Sequence, residues 1–447
     1  MNASTIAAIA SPPGMGAVGL LRLSGPDSVR IAATIFRGKP SDYWQPRFQH
    51  FGRIVDRNGD IVDEVLLTYF PGPRSFTGED IVEIACHGGV IVTRKILRLL
   101  LTAGAEPAPP GGFSERAFLN GRIDLTQAEA IMDLISAQTD LALKAAGEQL
   151  SGRLGGEIEQ IRLDLVGLLA HLEAYIDFPE EDISPDSFDV LLGKWDLIEG
   201  KVSRLLATAD QGRILRDGLR TVICGAPNAG KSSLLNRLLG FERAIVNERA
   251  GTTRDTIEEV INLKGIPLRL IDTAGIRDGL DPIEQEGIMR SNAQISMADL
   301  ALVVIDSSKS KEETSAITIP DQIKSLYILN KSDLPAHPDW QGHEGFAFTC
   351  LCENSVDALQ THLFAVISAD SGLNPSDLVS INARHQHCLT RAETELREGK
   401  DTLQSGESPE FVAMHLRSAL EAVGDVIGRT DIEEILGEIF SQFCIGK

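Results

Sequence analysis

No apolar run in this chain approaches the roughly 20 residues that a membrane-spanning helix needs. The first residues lack a basic segment followed by a long apolar one, so no secretory leader is expected. Cations are scarce: 42 Lys and Arg stand against 64 Asp and Glu, a formal net charge of −22. A free-standing electrostatic grip on nucleic acid needs clustered cations, and this balance argues against one. A local basic patch, or RNA contact through a partner, stays open. The cysteines Cys86, Cys224, Cys350, Cys352, Cys388 and Cys444 have neither disulfide-framework nor zinc spacing. Cys350-Leu-Cys352 is too close for the usual Cys-x2-Cys knuckle. Reduced thiols in a cytoplasmic protein are expected. What is present, 447 residues with 43% hydrophobic and 24% charged side chains, suits two or three globular domains.

The stretch that organises the chain is Gly225-Ala-Pro-Asn-Ala-Gly-Lys-Ser232. It follows the apolar run Thr221–Cys224 and precedes the helix formers Ser233–Leu239. A strand, a Gly-rich turn and a helix start are the context a phosphate-binding loop requires. Glycines let backbone N–H groups curl around phosphate oxygens without a Cβ in the way, and the helix N-terminus adds partial positive charge. Lys231 is expected to reach the β- and γ-phosphates, and the Ser232 hydroxyl to ligate Mg²⁺.

Further elements follow in order. Ala250-Gly-Thr-Thr-Arg-Asp255 suits a switch loop whose threonine joins the Mg²⁺ shell. Ile261–Leu263 and Leu268–Ile271 read as a strand hairpin, the second strand delivering Asp272-Thr-Ala-Gly275. There Asp272 would hold Mg²⁺ through water and Gly275 would sense the γ-phosphate. Leu300–Ile305 reads as a fully buried strand, and Leu326–Leu329 leads to Asn330-Lys-Ser-Asp333. An Asn-Lys-x-Asp at a strand end selects guanine, because the carboxylate accepts from the ring N–H and exocyclic amine that adenine does not offer. The Ser-Ala-Lys signal that normally covers the base is missing. Thr349-Cys-Leu351 is the nearest candidate, with base contacts expected through its backbone. Ile276 stands where Ras-type GTPases carry a water-positioning Gln, so hydrolysis needs another group, and spacing alone leaves Asp278, Asp281, Glu284 and Glu286 open.

The N-terminal part reads as a small α+β domain. Strands are expected near 5–10, 18–23, 51–55, 64–69 and 80–85, with a helix over 89–103 and a break at Pro107–Gly112. Arg22, Glu79 and His87 stand out there as polar residues beside strand or turn signals, without a spacing that yields chemistry. From Leu125 to about Phe178 the pattern is helical throughout, with Gly152, Gly155 and Gly156 as sites of bending or interruption. A second helix is expected over about 190–215, and amphipathic helices over 378–403 and 408–426, followed by an N-cap signature at Thr430-Asp-Ile-Glu. By spacing alone the end, Cys444-Ile-Gly-Lys447, reads as a frayed tail. Helices on both sides of the nucleotide site suggest one helical domain with the nucleotide-binding domain inserted. The expected organisation is therefore 1–119, 120–216, 217–375 and 376–447, the second and fourth segments forming one discontinuous helical domain. The fold class is multidomain α+β and α/β.

On these residues the sequence resembles the MnmE (also called TrmE) family of tRNA-modification GTPases from end to end. The resemblance rests on Thr5-Ile-Ala7, Ser11-Pro-Pro-Gly14, Arg22-Leu-Ser-Gly-Pro26, Thr77-Gly-Glu-Asp80, His87-Gly-Gly89, Phe113–Asn120, Asp124-Leu-Thr-Gln-Ala-Glu129, the nucleotide motifs and Phe443–Lys447. It implies an N-terminal domain that dimerises and binds a tetrahydrofolate one-carbon carrier through Arg22, Glu79, Arg122 and Lys447, with Cys444 beside the chemistry. It implies a flavoprotein partner, MnmG (GidA), that supplies FAD. Together the two would install an aminomethyl or carboxymethylaminomethyl group at C5 of the wobble uridine of certain tRNAs.

For the nucleotide site the resemblance implies K⁺ bound by Asn228, Asn247, Arg249 and Thr252, and Mg²⁺ by Ser232 and Thr253. Glu284 would orient the attacking water through a second water, acting with Lys231 and Asp272 in catalysis. Nucleotide contacts are expected from Gly225, Asn228, Ala229, Gly230, Lys231, Ser232 and Ser233 in the loop and helix start. Those of the switches are Asn247, Glu248, Arg249, Ala250, Gly251, Thr252, Thr253, Asp272, Thr273, Ala274 and Gly275. Asn330, Lys331, Asp333, Thr349, Cys350 and Leu351 would meet the base. The cation would take over the charge neutralisation of an arginine finger, an effect worth roughly 10³–10⁵ in rate. Met15 and Gly112 depart from an Arg and a Glu common in the family. A ribosome-assembly GTPase is the nearest rival, and it would carry a basic RNA-binding appendage. A nucleotide-gated scaffold without appreciable turnover is the other.

Overall fold

Alternation of apolar and polar residues builds the N-terminal sheet. The computed structural model describes residues 4–177, 188–241, 259–271, 295, 297–314, 319–352, 354–371, 378–429, 433–441 and 443–447. Strands β1 (Ile6–Ile9), β2 (Val18–Ser24), β3 (Phe36–Gly38), β4 (Gln49–Val55), β5 (Ile61–Phe70), β6 (Ile81–His87) and β7 (Glu106–Pro107) lie in the order β3-β4-β5-β6-β2-β1-β7. All neighbours are antiparallel except β1 and β7. Helices α1 (Ser28–Ile35) and α2 (Val90–Thr102) pack their apolar stripes on one face, against Leu21, Leu23, Leu67, Val82 and Ile84. On the other face Arg22 stands opposite Glu83 in register. Helix α1 was not expected. It has no side-chain cap and runs straight into the extended Phe36, so neither end carries a signal.

Helix α3 (Gly112–Leu119) follows the Pro-rich break, and α4 (Leu125–Ser136) comes next. The continuous helical pattern from 125 to 178 resolves into three helices: α4, α5 (Asp140–Leu150) and α6 (Arg153–Asp177). The break before α6 falls at Gly152, whose φ of 87° ends α5 as a left-handed residue would. Gly155 and Gly156 lie inside α6 and interrupt nothing. The expected helix over 190–215 is likewise two, α7 (Phe188–Leu206) and α8 (Ala209–Asp217).

The nucleotide-binding sheet comprises β8 (Leu219–Cys224), with α9 (Lys231–Phe241) after it, β9 (Glu259–Leu263), β10 (Ile266–Leu270), β11 (Leu300–Asp306), β12 (Lys324–Asn330) and β13 (Phe346–Ala347). Its order is β13-β12-β11-β8-β10-β9, parallel except for the β9–β10 hairpin. Every residue of β11 is buried, as its unbroken apolar run predicts. Alternate residues serve two faces: Leu300, Leu302 and Val304 join one core, Ala301, Val303 and Ile305 the other. Helix α10 (Asn354–Ser371) packs on the first face through Val356, Leu359 and Leu363.

Helix α11 (Ala383–Gln404) starts five residues later than the pattern suggests. Leu378–Ile381 form no helix, and Asn382 closes a capping box with His385. The chain ends with α12 (Pro409–Ile427) and α13 (Glu433–Ser441). Thr430–Ile432 of the N-cap signature lie outside the described residues. Helices from both sides of the nucleotide-binding sheet pack together. Trp195 of α7, almost fully buried, donates its indole N–H to the Leu396 carbonyl of α11 at 2.9 Å. Gly399 makes room, since a Cβ there would lie 2.9 Å from the Trp195 ring. The chain divides into two units, Met1–Met132 with Gly424–Lys447, and Asp133–Val423. Among the described residues no helix is long and apolar enough to cross a membrane.

Candidate nucleotide-binding site

The phosphate loop sits where β8, in the middle of a parallel sheet, hands over to α9. Gly225 adopts φ 148°, and a Cβ there would lie 2.2 Å from the Val304 carbonyl oxygen, so the loop crosses the neighbouring strand only as glycine. Lys231 folds its ammonium back over the loop, donating to the carbonyls of Gly225 and Ala226 at 2.9 Å each. Burial pulls its pKa down, the mark of a cation held without a full countercharge. Ser232, in the first turn of α9, is exposed. Amides at a helix start, a desolvated ammonium and an adjacent hydroxyl suit a phosphate chain with its Mg²⁺. Asn228 has φ 64° and an exposed side chain with no hydrogen bond to another described residue, so its amide oxygen is available to a monovalent cation.

The Asn330–Asp333 motif meets this loop directly. Asn330, at the end of β12, is buried and donates its amide to the Ala229 carbonyl at 2.8 Å. Lys331 follows at φ 61°, and its ammonium lies 2.6 Å from a carboxylate oxygen of Asp306. Asp333 accepts from the Thr349 hydroxyl at 2.5 Å. The Thr349 side chain therefore ties this stretch to the Asn330–Asp333 motif. Cys350 places its sulfur 3.8 Å from the Asn330 amide oxygen, and Arg237 of α9 donates to the Cys350 carbonyl at 2.8 Å. Burial raises the Cys350 thiol pKa, Arg237 and Asp333 pulling in opposite directions.

Asn247, Glu248, Arg249, Ala250, Gly251, Thr252, Thr253, Asp272, Thr273, Ala274, Gly275 and Glu284 lie outside the described residues. The structure brings together the phosphate loop, Asn330–Asp333 and Thr349–Leu351. Sequence reasoning missed the end of β11, where Ser307 donates to the Asn330 carbonyl, Asp306 pairs with Lys331 and Ser308 donates to Asp306. The available signal was a carboxylate closing a run of six apolar residues.

A second cluster forms in the first unit. Arg22 pairs with Glu83 at 2.7 Å and lies over the rings of Phe76 and Phe113. Glu79 accepts from Ser24 at 2.7 Å and from Arg116 at 2.9 Å, a nearly buried pair that sequence reading did not assign. The Arg122 stem lies against Gly78, 3.4 Å from where a Cβ would be. His87 bonds Asp63 at 2.7 Å. The end of the chain is not frayed. Phe440 and Phe443 stack edge to face at 5.1 Å in a core with Leu125 and Leu436. Ile445 then bridges Pro110, and the Phe113 N–H donates to the Lys447 carbonyl at 3.1 Å. Arg22, the Arg122 stem and the Lys447 backbone thus each touch the Phe76–Glu79 loop or the start of α3, with Arg22 paired to Glu83 and Glu79 to Arg116. Burial pushes the thiols of Cys86 and Cys224 up to about 11, whereas Cys444 and Cys352 are exposed.

Gly446 is the residue that lets the tail dock. It has φ 97°, and a Cβ would lie 2.5 Å from the Ile9 carbonyl oxygen. Gly446→Val is expected to release the last residues, at a cost of roughly 1–3 kcal/mol from backbone strain alone. Timed carboxypeptidase digestion checks it: the variant should lose its end rapidly, and protection equal to the wild type would contradict the docked tail.

Comparison with known proteins covers the whole chain. The profile of the MnmE helical domain matches residues 125–444, and that of the GTP-binding protein TrmE N-terminus matches residues 5–122. A tRNA modification GTPase MnmE from Akkermansia muciniphila is 48% identical over 447 residues, covering 99% of each chain. Its counterpart from Natranaerobius thermophilus is 43% identical over 458 residues, covering all of both, and that from Latilactobacillus sakei is 42% identical over 99% of this chain and 98% of its own. Among solved structures, the FeoB G-domain from Methanococcus jannaschii is 18% identical over 34% of this chain and 98% of its own, at a TM-score of 0.25, too low to bear on the fold. With full-length relatives at this identity, and with the phosphate loop bonded to Asn330-Lys-Ser-Asp333, the chain belongs to the MnmE family of tRNA modification GTPases.

Proposed function

We propose that this GTPase is K⁺-stimulated and acts in the cytoplasm as a homodimer with a flavoprotein partner, MnmG, that carries FAD. Its turnover drives addition of an aminomethyl or carboxymethylaminomethyl group to C5 of the wobble uridine of certain tRNAs, with a tetrahydrofolate derivative as one-carbon donor. The observation that carries the GTP reading is the 2.8 Å bond from Asn330 to the Ala229 carbonyl, because it joins the Asn-Lys-x-Asp motif to the phosphate loop. Ser232 with Thr253 and Asp272 would hold Mg²⁺, which supplies charge neutralisation to the phosphates. Asn228, with Asn247, Arg249 and Thr252, would hold K⁺. Arg22, Glu79, Arg122 and Lys447 would hold the folate, with Cys444 beside it. A net charge of −22 supports a division of labour in which the partner supplies basic surface for tRNA. We take 1–119 as the folate and dimerisation domain, and 217–375 as a G domain inserted between the helical segments 120–216 and 376–447.

Steady-state GTP hydrolysis in matched KCl and NaCl, with Glu284→Ala alongside, tests the mechanism. Strong activation by K⁺ is expected, up to the roughly 10³–10⁵ that an arginine finger supplies elsewhere. The variant should lose it. Equal slow rates in both salts would sink the cation mechanism and leave a partner-activated switch.

A further inference from the structure

The end of β11 grips the guanine motif residue for residue. Asp306 and Asn330 are register partners on β11 and β12. Ser307 donates both its N–H (3.1 Å) and its hydroxyl (2.8 Å) to the Asn330 carbonyl. Ser308 donates its hydroxyl (2.6 Å) and N–H (3.2 Å) to one carboxylate oxygen of Asp306, which leaves the other oxygen turned to the Lys331 ammonium at 2.6 Å. The Asp306 side chain is 4% exposed and that of Lys331 36%. Burial by itself would raise the Asp306 carboxyl pKa, and Lys331 with the Ser308 donors brings it below the ordinary value.

Lys331 needs such a hold. Its φ of 61° lies in the left-handed region, which a lysine occupies only where its surroundings impose it. The turn closes with Leu334 N–H on the Lys331 carbonyl (2.9 Å) and Ser332 N–H on the Phe348 carbonyl (3.1 Å), and it delivers Asp333 to Thr349. We propose that Asp306 is a positioning residue for guanine recognition, holding Lys331 in the left-handed turn that presents Asp333 to the base. The inference rests on the guanine-site reading above, and it adds a carboxylate that never touches the nucleotide.

Equilibrium binding of fluorescent GDP to the full chain tests it through a double-mutant cycle. Asp306→Asn should weaken GDP roughly tenfold, the ordinary size of coupling between contacting residues. It should raise KM for GTP while kcat at saturation stays within about twofold, because the loss falls on ground-state binding. Asp306→Glu keeps the charge and should recover most of the affinity. In a Lys331→Ala background Asp306→Asn should add nothing further. Additive losses in the double variant, or wild-type affinity in Asp306→Asn, would overturn the proposal. Should Asp306→Asn not fold, Ser308→Ala loosens the same carboxylate and should weaken GDP in the same direction, and unchanged affinity there would count equally against it. Wild-type protein that binds no guanine nucleotide would overturn the site reading and this inference together. Tight wild-type binding with an indifferent Asp306→Asn overturns the inference alone.

Discussion

Asp333→Asn is expected to cost this protein its affinity for GTP and to give it affinity for xanthosine triphosphate in return. Guanine presents a ring N–H and an exocyclic amine on one edge, both donors, and an ionised carboxylate accepts both. Asp333 is exposed and held by the Thr349 hydroxyl at 2.5 Å, which leaves its carboxylate open to accept both. An amide in its place turns a donor toward the guanine amine and leaves both unpaired. Xanthine carries a carbonyl at that position, which the new amide can serve. Sites built around a hydrogen-bonded group reject a ligand lacking it by up to about 10⁴–10⁵. Partial exposure here lowers the expectation to a loss on the order of 10³ for GTP. Competition binding with GDP and XDP reads the result, and the same phosphate loop should bind both diphosphates through unchanged contacts. Equal weakening of GDP and XDP would mean that Asp333 acts on the loop and not on the base.

What the sequence discloses of this molecule depends on whether the signal is local. The phosphate loop was legible because strand, glycines, lysine and helix are contiguous, and their chemistry is written in eight residues. Strand β11 was legible because seven consecutive buried positions leave no alternation to misread. Helix α1 was not, since an eight-residue helix without a capping side chain that runs directly into a strand has no punctuation at either end. The helical stretch from 125 to 178 misled for the opposite reason. Apolar residues continue at three- and four-residue spacing on both sides of the break at Gly152, so the periodicity does not mark it. The pair of Arg116 with Glu79, 37 residues apart, and the pair of Lys331 with Asp306, 25 apart, are properties of the folded chain alone. So is the docked tail. A Cys-x-Gly-Lys end reads as loose until Phe440 and Phe443 are seen in a core and Gly446 against Ile9. The phosphate loop and the Asn330–Asp333 motif are compact in sequence, whereas the residues that hold them come from elsewhere.

Gly230→Ala is expected to abolish nucleotide binding while sparing the fold. Gly230 is the last residue of the loop before α9, at φ 100°, where a side chain is strained by roughly 1–3 kcal/mol whatever the space around it. Space is lacking as well: the added methyl would lie 2.1 Å from the Asn330 amide nitrogen. That nitrogen makes the 2.8 Å bond to the Ala229 carbonyl, so the intruding carbon must either displace Asn330 or push the loop off the helix start. Each escape spoils one half of the site, the base half through Asn330 and the phosphate half through the loop amides. Losing the bond leaves a buried amide unpaired, about 1–3 kcal/mol more. Those costs fall on the nucleotide-free protein as lost stability, whereas the displaced loop amides and Asn330 forfeit ligand hydrogen bonds of about 1.5–3 kcal/mol each, a loss on the order of 10²–10⁴ in affinity. Gly240→Ala, in α9, is the control. No atom lies within 4 Å of its Cβ position, and exchanging a helical glycine for alanine should be neutral or stabilising by up to about 1 kcal/mol. Calorimetric titration with Mg²⁺-GDP, paired with thermal unfolding of the nucleotide-free protein, separates the outcomes. Binding should vanish in Gly230→Ala and persist in Gly240→Ala, with both variants unfolding cooperatively. Gly230→Ala that binds GDP normally would mean that Asn330 moves freely, and the role of its bond in joining the Asn-Lys-x-Asp motif to the phosphate loop would have to be given up.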